Sequence, residues 1–233
     1  MSPTFCAVIV AAGRGVRFGR AKQLVEIAGR PLVAWSLSTF DAMPELCDLV
    51  VACEPGVCLR MQALASEFAP RLRTAIVAGG ATRQESVERA LAAIPSGCDA
   101  VFIHDGARPL VSSQDVRAGI AATAPRVAAL LAAPVVDTIK LVPRGERTVS
   151  GTLERADLWA AQTPQFAMLA DLREAHARAR REHFSATDDA ALLERAGCTV
   201  VVVPASSENF KVTVESDRER AEAILRARVA LAQ

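Results

Sequence analysis

Short apolar runs alternate with amphipathic segments along the whole chain. Several runs are rich in valine, isoleucine and alanine and lack apolar–polar alternation, which predicts buried strands at Phe5–Ala12, Leu49–Cys53, Thr74–Val77, Ala100–His104, Val127–Ala132 and Thr199–Val203. Helices are predicted between them, from Pro31 to about Asp41, over Val57–Phe68, from Thr82 to about Ala93, over Ser112–Thr123, near Ala167–Arg181, over Asp188–Ala196 and beyond Ser216. Strands buried on both faces and separated by helices indicate an α/β protein with a mostly parallel sheet flanked by helices.

Local signals set the predicted starts of several helices. Pro31 suits a first helical position. The spacing Thr82-x-x-Glu85 is typical of a capping box, and a second such box begins at Ser216. Thr187 is predicted to cap the helix that follows it, since two acidic residues come next and favour a helix N-terminus.

The stretch Thr138–Pro164 interrupts this pattern. It contains proline, two glycines and scattered charges, with little helical periodicity. Thr138–Val142 and Thr148–Leu153 are predicted to pair as a hairpin around the turn Pro143–Arg147. Long excursions in compact α/β domains are usually functional or interfacial. We therefore predict one domain over residues 1–233 with a β-arm at 138–164.

Composition and charge exclude several classes of protein. The 27 basic and 26 acidic residues leave a net charge of +1, which argues against a nucleic-acid-binding surface. The longest apolar run, Val127–Val136, is too short to span a bilayer, and no basic segment precedes Phe5–Ala12 as in a signal peptide. The six cysteines form no Cys-x-x-Cys pair, so we expect reduced thiols, no zinc site and a cytoplasmic location.

A glycine-rich loop follows the first predicted strand, in the sequence AAGRGVRFGRAKQ from Ala11 to Gln23. A strand that runs into such a loop exposes backbone N–H groups in a concave turn, which suits phosphate oxygens. Arg14, Arg17 and Lys22 add positive charge. The loop lacks the Gly-Lys-Ser/Thr of a Walker A motif and the third glycine of the dinucleotide fingerprint. We predict phosphate binding of another kind, with an ordinary glycine turn as the alternative.

Two further motifs follow predicted strands. Gly79-Gly80 precedes a capped helix that carries Arg83 and Ser86, and paired glycines let a ligand approach the backbone, although a plain strand–helix turn has the same appearance. Asp105 and its neighbours end the strand FIHD, where open α/β sheets bind ligands. Its carboxylate is a candidate for a metal ion or a sugar hydroxyl.

The chain contains only three lysines, Lys22, Lys140 and Lys211. Nearly all its positive charge is therefore arginine, and a retained lysine is a candidate for a position that needs a compact ammonium.

The motifs AAGRGVRFGRAKQ, VAGGATRQESV, FIHDGARP, DTIK, TPQ, TDDA and NFKVT occur in this order. Together they closely resemble the 2-C-methyl-D-erythritol 4-phosphate cytidylyltransferase family of the non-mevalonate isoprenoid pathway, over essentially the whole chain. Two departures are Ala21, where the family usually has proline, and Gly106, where it more often has alanine. The resemblance implies a Rossmann-like nucleotidyltransferase fold with a protruding β-arm, and transfer of the cytidylyl group of CTP to the methylerythritol phosphate with release of pyrophosphate.

The resemblance also implies roles for individual residues. CTP would be bound by Ala11, Ala12, Gly13, Gly15, Lys22, Gly80, Arg83, Ser86 and Gly106. The catalytic cations would be Arg17, Lys22 and Lys211. The sugar phosphate would be held by Asp105, Arg108, Thr138, Arg155, Thr163, Thr187 and Lys211. Mg²⁺ or another divalent cation would assist, with Asp105 as a candidate ligand beside the CTP phosphates, and Arg155 lies in the arm that crosses to the partner of a homodimer in this family.

The implied chemistry agrees with the residue types. The phosphate nucleophile is already charged, so no histidine or cysteine base is required, and fixed cations stabilise the negative charge that develops. One alternative is an enzyme of the same fold that uses another polyol phosphate, such as ribitol 5-phosphate. Another is a nucleotide-binding regulatory protein, which the three candidate catalytic cations disfavour because simple binding does not need them.

Overall fold

The computed structural model describes residues 3–13 and 22–231, and of Lys22 only the backbone. In chain order, the strands of this part are β1 (Phe5–Ala11), β2 (Glu26–Ile27), β3 (Arg30–Pro31), β4 (Leu46–Cys53), β5 (Arg73–Ala78), β6 (Ala100–Asp105), β7 (Val127–Pro134), β8 (Lys140–Leu141), β9 (Gly151–Thr152), β10 (Trp159–Met168) and β11 (Thr199–Pro204). The α-helices are α1 (Leu32–Asp41), α2 (Cys58–Phe68), α3 (Arg83–Ala92), α4 (Ser113–Ala121), α5 (Leu169–Arg181), α6 (Asp189–Arg195) and α7 (Glu215–Leu231).

A seven-stranded sheet forms the centre of the described chain, in the order β11-β7-β10-β6-β1-β4-β5. The pairs β1–β4, β1–β6, β4–β5 and β7–β11 are parallel. Strand β10 is antiparallel to both of its neighbours, β6 and β7. The predicted α/β fold with a mostly parallel sheet is therefore confirmed, while β10 was missed. The predicted helix near Ala167 starts too early, because the strand continues to Met168.

Alternate side chains of the central strands enter two apolar layers on opposite sides of the sheet. Ile9 of β1 packs in one layer with Phe40 of α1. The neighbouring Val8 enters the other layer with Val87 of α3 and Leu172 of α5. Because both faces are covered, the carboxyl ends of β1 and β6 remain the accessible part of the sheet centre.

The predicted cap of α3 is confirmed, and α4 has a cap that was not predicted. The Thr82 side chain accepts a hydrogen bond from Glu85 N at the start of α3, and Ser112 caps α4 in the same way. Because Thr82 is the N-cap, α3 begins with Arg83. Arg83, the first residue of α3, is thereby placed beside the end of β6.

The predicted starts of three other helices are wrong by one or two positions. Asp188, not Thr187, caps α6, because its carboxylate accepts from Ala191 N. Helix α7 begins at Glu215, so Ser216 lies inside the first turn. Pro31 precedes α1 and occupies its N-cap position rather than the first helical one.

The arm leaves the sheet after β7 and returns to it at Trp159. Within it, β8 and β9 pair antiparallel over two residues each, with Lys140 opposite Thr152, so the predicted hairpin is confirmed in a shorter form. The predicted range Thr138–Pro164 extends too far, since its last six residues belong to β10. The arm is exposed and presents apolar side chains to solvent, namely Val136, Leu141, Val142 and Val149.

Two expectations from composition can be compared with the structure. All six cysteines are free thiols. Of the helices described, none combines the length and the apolar character needed to cross a membrane.

Candidate active site

A cavity of about 430 Å³ opens where β1 and β6 end and α3 begins. Carboxyl ends of strands and a helix N-terminus are common positions for anionic ligands in α/β folds. The described residues that line it are Val10, Ala12, Gly13, Gln23, Gly80, Ala81, Thr82, Arg83, Ser86, Asp105, Ala107 and Lys211. The cavity thus joins the glycine-rich loop, the Gly79-Gly80 turn, the end of FIHD and the NFKVT segment.

Asp105 is the one carboxylate among the described lining residues, and both of its oxygens are paired. Arg83 Nε donates to Oδ1 at 3.1 Å, and Lys211 Nζ donates to Oδ2 at 2.7 Å. Burial of this side chain opposes its ionisation, but the charges of Arg83 and Lys211 outweigh burial and hold the pKa of Asp105 far below its ordinary value. Asp105 is therefore a carboxylate at every physiological pH.

Arg83 connects Asp105 to a second carboxylate behind the cavity. Its Nη1 donates to Asp189 Oδ2 at 2.8 Å. Burial lowers the pKa of the Arg83 guanidinium, and the two carboxylates reverse that effect and raise it above the ordinary value. Arg83 is thus a permanent cation held between Asp105 and Asp189.

Lys211 reaches the cavity from a segment fixed by backbone and amide contacts. Val212 N donates to Ala107 O at 2.9 Å. The buried Asn209 side chain donates to both Gln162 Oε1 and Thr163 O at 2.9 Å. The Lys211 side chain itself is 39% exposed, so its ammonium can leave Asp105 for another anion in the cavity.

Close backbone packing explains the paired glycines. Gly79 N donates to Cys53 O at 2.7 Å, and a Cβ added at Gly79 would lie 2.2 Å from Ala12 Cβ. A Cβ at Gly80 would lie 2.3 Å from the Glu85 Cβ. Any side chain at either position would therefore displace the loop that lines the cavity.

Ser86 and Gly106 stabilise the walls of the cavity. The buried Ser86 Oγ donates to Thr82 O at 2.8 Å and accepts from Gly80 N at 3.0 Å. Gly106 N donates to Val10 O at 2.9 Å, which fixes the turn after β6. A Cβ at Gly106 would lie 3.1 Å from a methyl group of Ile9, a tight contact that a small shift of that side chain would relieve.

Several predicted site residues lie outside the cavity lining. Ala11 is buried in β1, and Arg108 donates to Asn209 O at 2.6 Å. Thr163 is buried, and its hydroxyl accepts from Asp105 N at 2.9 Å. Thr187 is exposed before α6.

The two predicted residues of the arm also lie outside the cavity lining. Thr138 and Arg155 are both exposed. Arg155 Nη1 donates to Val136 O at 2.8 Å, within the arm itself. Gly15, Arg17 and the side chain of Lys22 lie outside the described residues.

The structure also brings in residues that the sequence analysis did not single out. Gln23 Nε2 donates to Gly13 O at 3.3 Å and lines the cavity, and the buried Asp189 contacts Arg83. Asp189 belongs to TDDA, one of the motifs that carry the resemblance, so its position in that motif was the available signal. Gln23 follows Lys22 in the glycine-rich motif and gave no separate signal.

The donor atoms at the cavity do not form a dedicated metal site. No group of three or more histidine, cysteine or acidic side chains able to hold a metal occurs in residues 3–13 and 22–231. Among the described lining residues, Asp105 alone offers carboxylate oxygens, each already paired with a cation. Such a donor set fits Mg²⁺ that is held mainly by substrate phosphates and water, because Mg²⁺ often takes only one or two protein carboxylates.

Comparisons with known proteins agree with this geometry. The family model described as 2-C-methyl-D-erythritol 4-phosphate cytidylyltransferase matches residues 5–227. The enzymes of that name from Prochlorococcus marinus (strain MIT 9313) and Synechococcus sp. (strain CC9902) are 42% and 44% identical, over 95% of this chain and 98% and 97% of theirs. The crystal structure of the enzyme from Thermus thermophilus is 35% identical with a TM-score of 0.76, covering 97% of this chain and 100% of that one. The chain therefore belongs to the 2-C-methyl-D-erythritol 4-phosphate cytidylyltransferase family.

Proposed function

We propose that the chain transfers the cytidylyl group of CTP to 2-C-methyl-D-erythritol 4-phosphate, forming 4-diphosphocytidyl-2-C-methyl-D-erythritol and pyrophosphate. The observation that carries this proposal is the convergence of four family motifs on one cavity, with Lys211 and Arg83 both paired to Asp105. The cavity is large enough for a nucleotide and contains cations for its phosphates. The relatives described above are named for the methylerythritol acceptor, which disfavours ribitol 5-phosphate.

The residues of the cavity divide between binding CTP and stabilising the transition state. Ala12, Gly13 and Gly80 offer backbone groups at close range, because no large side chain covers them. Attack of the acceptor phosphate on the α-phosphate of CTP places additional negative charge on the equatorial oxygens. Lys211 is our candidate for stabilising that charge, since its half-exposed ammonium can exchange the Asp105 carboxylate for phosphate oxygens.

Asp105 has a second role in this proposal. As an ionised carboxylate, it accepts hydrogen bonds and suits the hydroxyl groups of the methylerythritol moiety. Arg83 keeps it in place after Lys211 moves to the phosphates. The remaining predicted cations, Arg17 and Lys22, belong to the glycine-rich loop and would act on the CTP phosphates.

We further propose that the reaction uses Mg²⁺ or another divalent ion. When bound, the ion would stabilise the negative charge of the triphosphate and of the leaving pyrophosphate. CTP phosphates and water would supply most of its ligands, with Asp105 as the candidate protein ligand. The chain itself contributes the orientation of the phosphates.

A homodimer with shared active sites would complete the acceptor site. Thr138 and Arg155 are exposed on the arm, and neither lines the cavity described above. The arm also exposes Val136, Leu141 and Val149, which favours packing against another protein surface. We propose that the arm covers the cavity of a partner copy and brings Arg155 to the sugar phosphate there.

A reducing compartment, the cytoplasm, fits the cysteines of the chain. All six cysteines of the chain are free thiols, and Cys6, Cys53 and Cys198 are buried. Thiols of this kind are typical of proteins that fold without disulfides.

The test is an assay of pyrophosphate release with purified protein, CTP and Mg²⁺. We expect turnover with 2-C-methyl-D-erythritol 4-phosphate and little with ribitol 5-phosphate. Omission of the metal, with EDTA present, should abolish release. Equal or faster turnover with ribitol 5-phosphate would transfer the assignment to that acceptor, and CTP binding without release of pyrophosphate would favour a regulatory role.

A further inference from the structure

A buried carboxylate lies behind the active site and does not line it. Asp189, the first residue of α6, is 1% exposed. Its Oδ2 accepts from Arg83 Nη1 at 2.8 Å, and Arg83 Nε donates in turn to Asp105. A continuous row of charged side chains therefore runs from Asp189 through Arg83 and Asp105 to Lys211.

The backbone around Asp189 is fixed by a neighbouring strand. Gln165 of β10 accepts from Asp189 N at 3.0 Å and from Ala190 N at 2.9 Å, through the same Oε1 atom. Its amide group also donates to Asp188 Oδ2 at 2.9 Å. The TPQ and TDDA motifs thus contact each other directly, and their contact holds the first turn of α6 in one place.

The helix itself does not need the Asp189 carboxylate. Asp188 already caps α6 by accepting from Ala191 N. The other group near the carboxylate is His176 Nε2, 3.5 Å from Oδ1, and neither ring nitrogen of this buried histidine makes a hydrogen bond with a described residue. Arg83 is therefore the one strong partner of Asp189 in the described structure.

Energetics indicate why a charge is kept at this position. A buried ion pair is seldom more stabilising than well-packed apolar residues of similar size, because both charges lose their hydration. Stability alone thus gives little reason for Asp189. The orientation of Arg83 gives a better reason, since a guanidinium that donates from Nη1 to one carboxylate is aligned to donate from Nε to another.

We propose that Asp189 is a positioning residue of the active site, which orients Arg83 and, through it, the Asp105 carboxylate toward the cavity. This proposal rests on the proposed function for its kinetic part, because Arg83 and Asp105 are taken to bind the substrates. A purely structural Asp189 is the alternative. It would affect the stability of α6 without changing substrate affinity.

The first experiment compares Asp189→Asn with Asp188→Asn as a matched control. Both replacements remove one negative charge from the N-terminus of α6, but only the first one changes the carboxylate that accepts from Arg83. We expect Asp189→Asn to raise the Kd of CTP, measured by titration calorimetry, and the KM of CTP about tenfold. Asp188→Asn should change both less than twofold. If Asp189→Asn lowers only the melting temperature and leaves both constants unchanged, the positioning role is wrong.

A double-mutant cycle tests whether Asp189 acts through Arg83. In an Arg83→Met background, which already lacks the oriented guanidinium, Asp189→Asn should not weaken CTP binding further. A second tenfold loss in the double variant would contradict the proposal. The double variant also leaves no unpaired charge between the two positions, so it provides a folded protein for comparison if Asp189→Asn alone is unstable.

Measurements on the wild-type protein distinguish a failure of this proposal from a failure of the proposed function. Absence of pyrophosphate release with the methylerythritol acceptor would contradict the function, whereas the calorimetric comparison of CTP affinities would still decide the role of Asp189. Normal wild-type turnover with equal CTP affinities in all variants would contradict only the positioning role.

Discussion

Charged side chains at the cavity are paired and largely buried, whereas the arm carries charged side chains that are exposed. At the cavity, Arg83, Asp105 and Asp189 are largely removed from solvent and form ion pairs at 2.8–3.1 Å. On the arm, Arg155 is exposed, and its side chain donates to the backbone carbonyl of Val136 in the same arm. The cavity is thus organised by a single chain before any ligand arrives. The arm presents side chains that the packing of one chain leaves exposed.

This difference has an energetic origin. Buried charges must be paired, because an isolated one costs several kcal/mol, so the cavity network maintains its own geometry. Exposed charges contribute about 0–1 kcal/mol to stability and can be used for binding without affecting the fold. Substitutions in the cavity should therefore change both chemistry and stability, and those in the arm should change affinity alone.

The largest effect is expected for Lys211→Ala. Removal of the ammonium next to Asp105 should lower kcat at least about a hundredfold, equivalent to roughly 3 kcal/mol of transition-state stabilisation. Steady-state kinetics measures the loss, and circular dichroism verifies folding. Lys140→Ala is the matched control, because that lysine lies on the arm and donates to Thr152 Oγ1. If kcat of Lys211→Ala were near that of the wild type, Lys211 would have no role in the chemical step.

The second largest effect is expected at acidic pH, where the buried His104 beneath the cavity should make the fold less stable. Burial lowers the pKa of His104 from 6.5 to about 4, and the nearby Asp105 only partly offsets burial. Between pH 6.5 and about pH 4 the unfolded chain binds more protons than the folded one. The contribution of neutral His104 to stability is therefore fully present above about pH 6.5 and is lost as the pH drops toward 4. From pH 7 to pH 5 we expect a loss of about 2 kcal/mol in the free energy of unfolding.

Urea unfolding followed by tryptophan fluorescence measures this slope. His104→Gln should flatten the pH dependence between 7 and 5, whatever its effect on stability at neutral pH. His183→Asn is the control, since His183 is exposed and its positive φ suits asparagine. An unchanged slope in His104→Gln would show that another group is responsible.

A smaller effect is expected in the arm. Arg155→Ala should raise the KM of the sugar phosphate about tenfold and leave that of CTP within twofold, because the proposed contact involves only the acceptor. Arg147→Ala, an exposed arginine of the same arm, should behave as wild type. A change in the KM of CTP as large as that of the acceptor would place Arg155 in a different role.

Mixing two differently impaired variants tests the shared site more directly. In a dimer of Lys211→Ala and Arg155→Ala chains, one site would carry both defects and the other neither. Activity at low acceptor concentration should therefore partly recover on subunit exchange. No recovery despite proven exchange would contradict the shared site.

The smallest effect is expected for Gly106→Ala in the cavity wall. The new methyl group would lie 3.1 Å from Ile9 and 3.3 Å from Ala11, contacts that a shift of a few tenths of an ångström relieves. We expect less than a threefold change in the KM of CTP and about 1 kcal/mol or less in stability. Gly80→Ala is the contrast, because its methyl group would meet the Glu85 Cβ at 2.3 Å and should weaken CTP binding strongly.

Features set by neighbouring residues could be predicted from the sequence. The cap Thr82 could be predicted because capping involves residues three positions apart. Strand β10 was missed because Pro164 lies within it, and proline usually argues against a central strand. The sheet tolerates this proline because the pairing of β10 with β7 is interrupted between Ala161 and Gln165, which only the three-dimensional neighbours reveal.

The same contrast between residues close in sequence and residues close only in the folded chain applies to the site. Gly80 and Asp105 could be predicted, since carboxyl ends of parallel strands share one edge of the sheet. The pairing of Asp105 with Lys211 joins residues 106 positions apart, and family resemblance indicated both residues but not their contact. Asp189 was hidden because an acidic residue in the first turn of a helix also has an ordinary explanation in the helix dipole.

The position of β10 in the sheet has a consequence for the nascent chain. This strand fills the gap between β6 and β7, yet it is synthesised about 60 residues after β6. At ordinary rates of translation, roughly 3 to 12 seconds pass before it emerges. Throughout that interval the apolar β6 has one unpaired edge, the kind of surface that chaperones cover and that aggregation exploits. Lys211 emerges later still, so the growing chain completes its sheet before Lys211 can pair with Asp105.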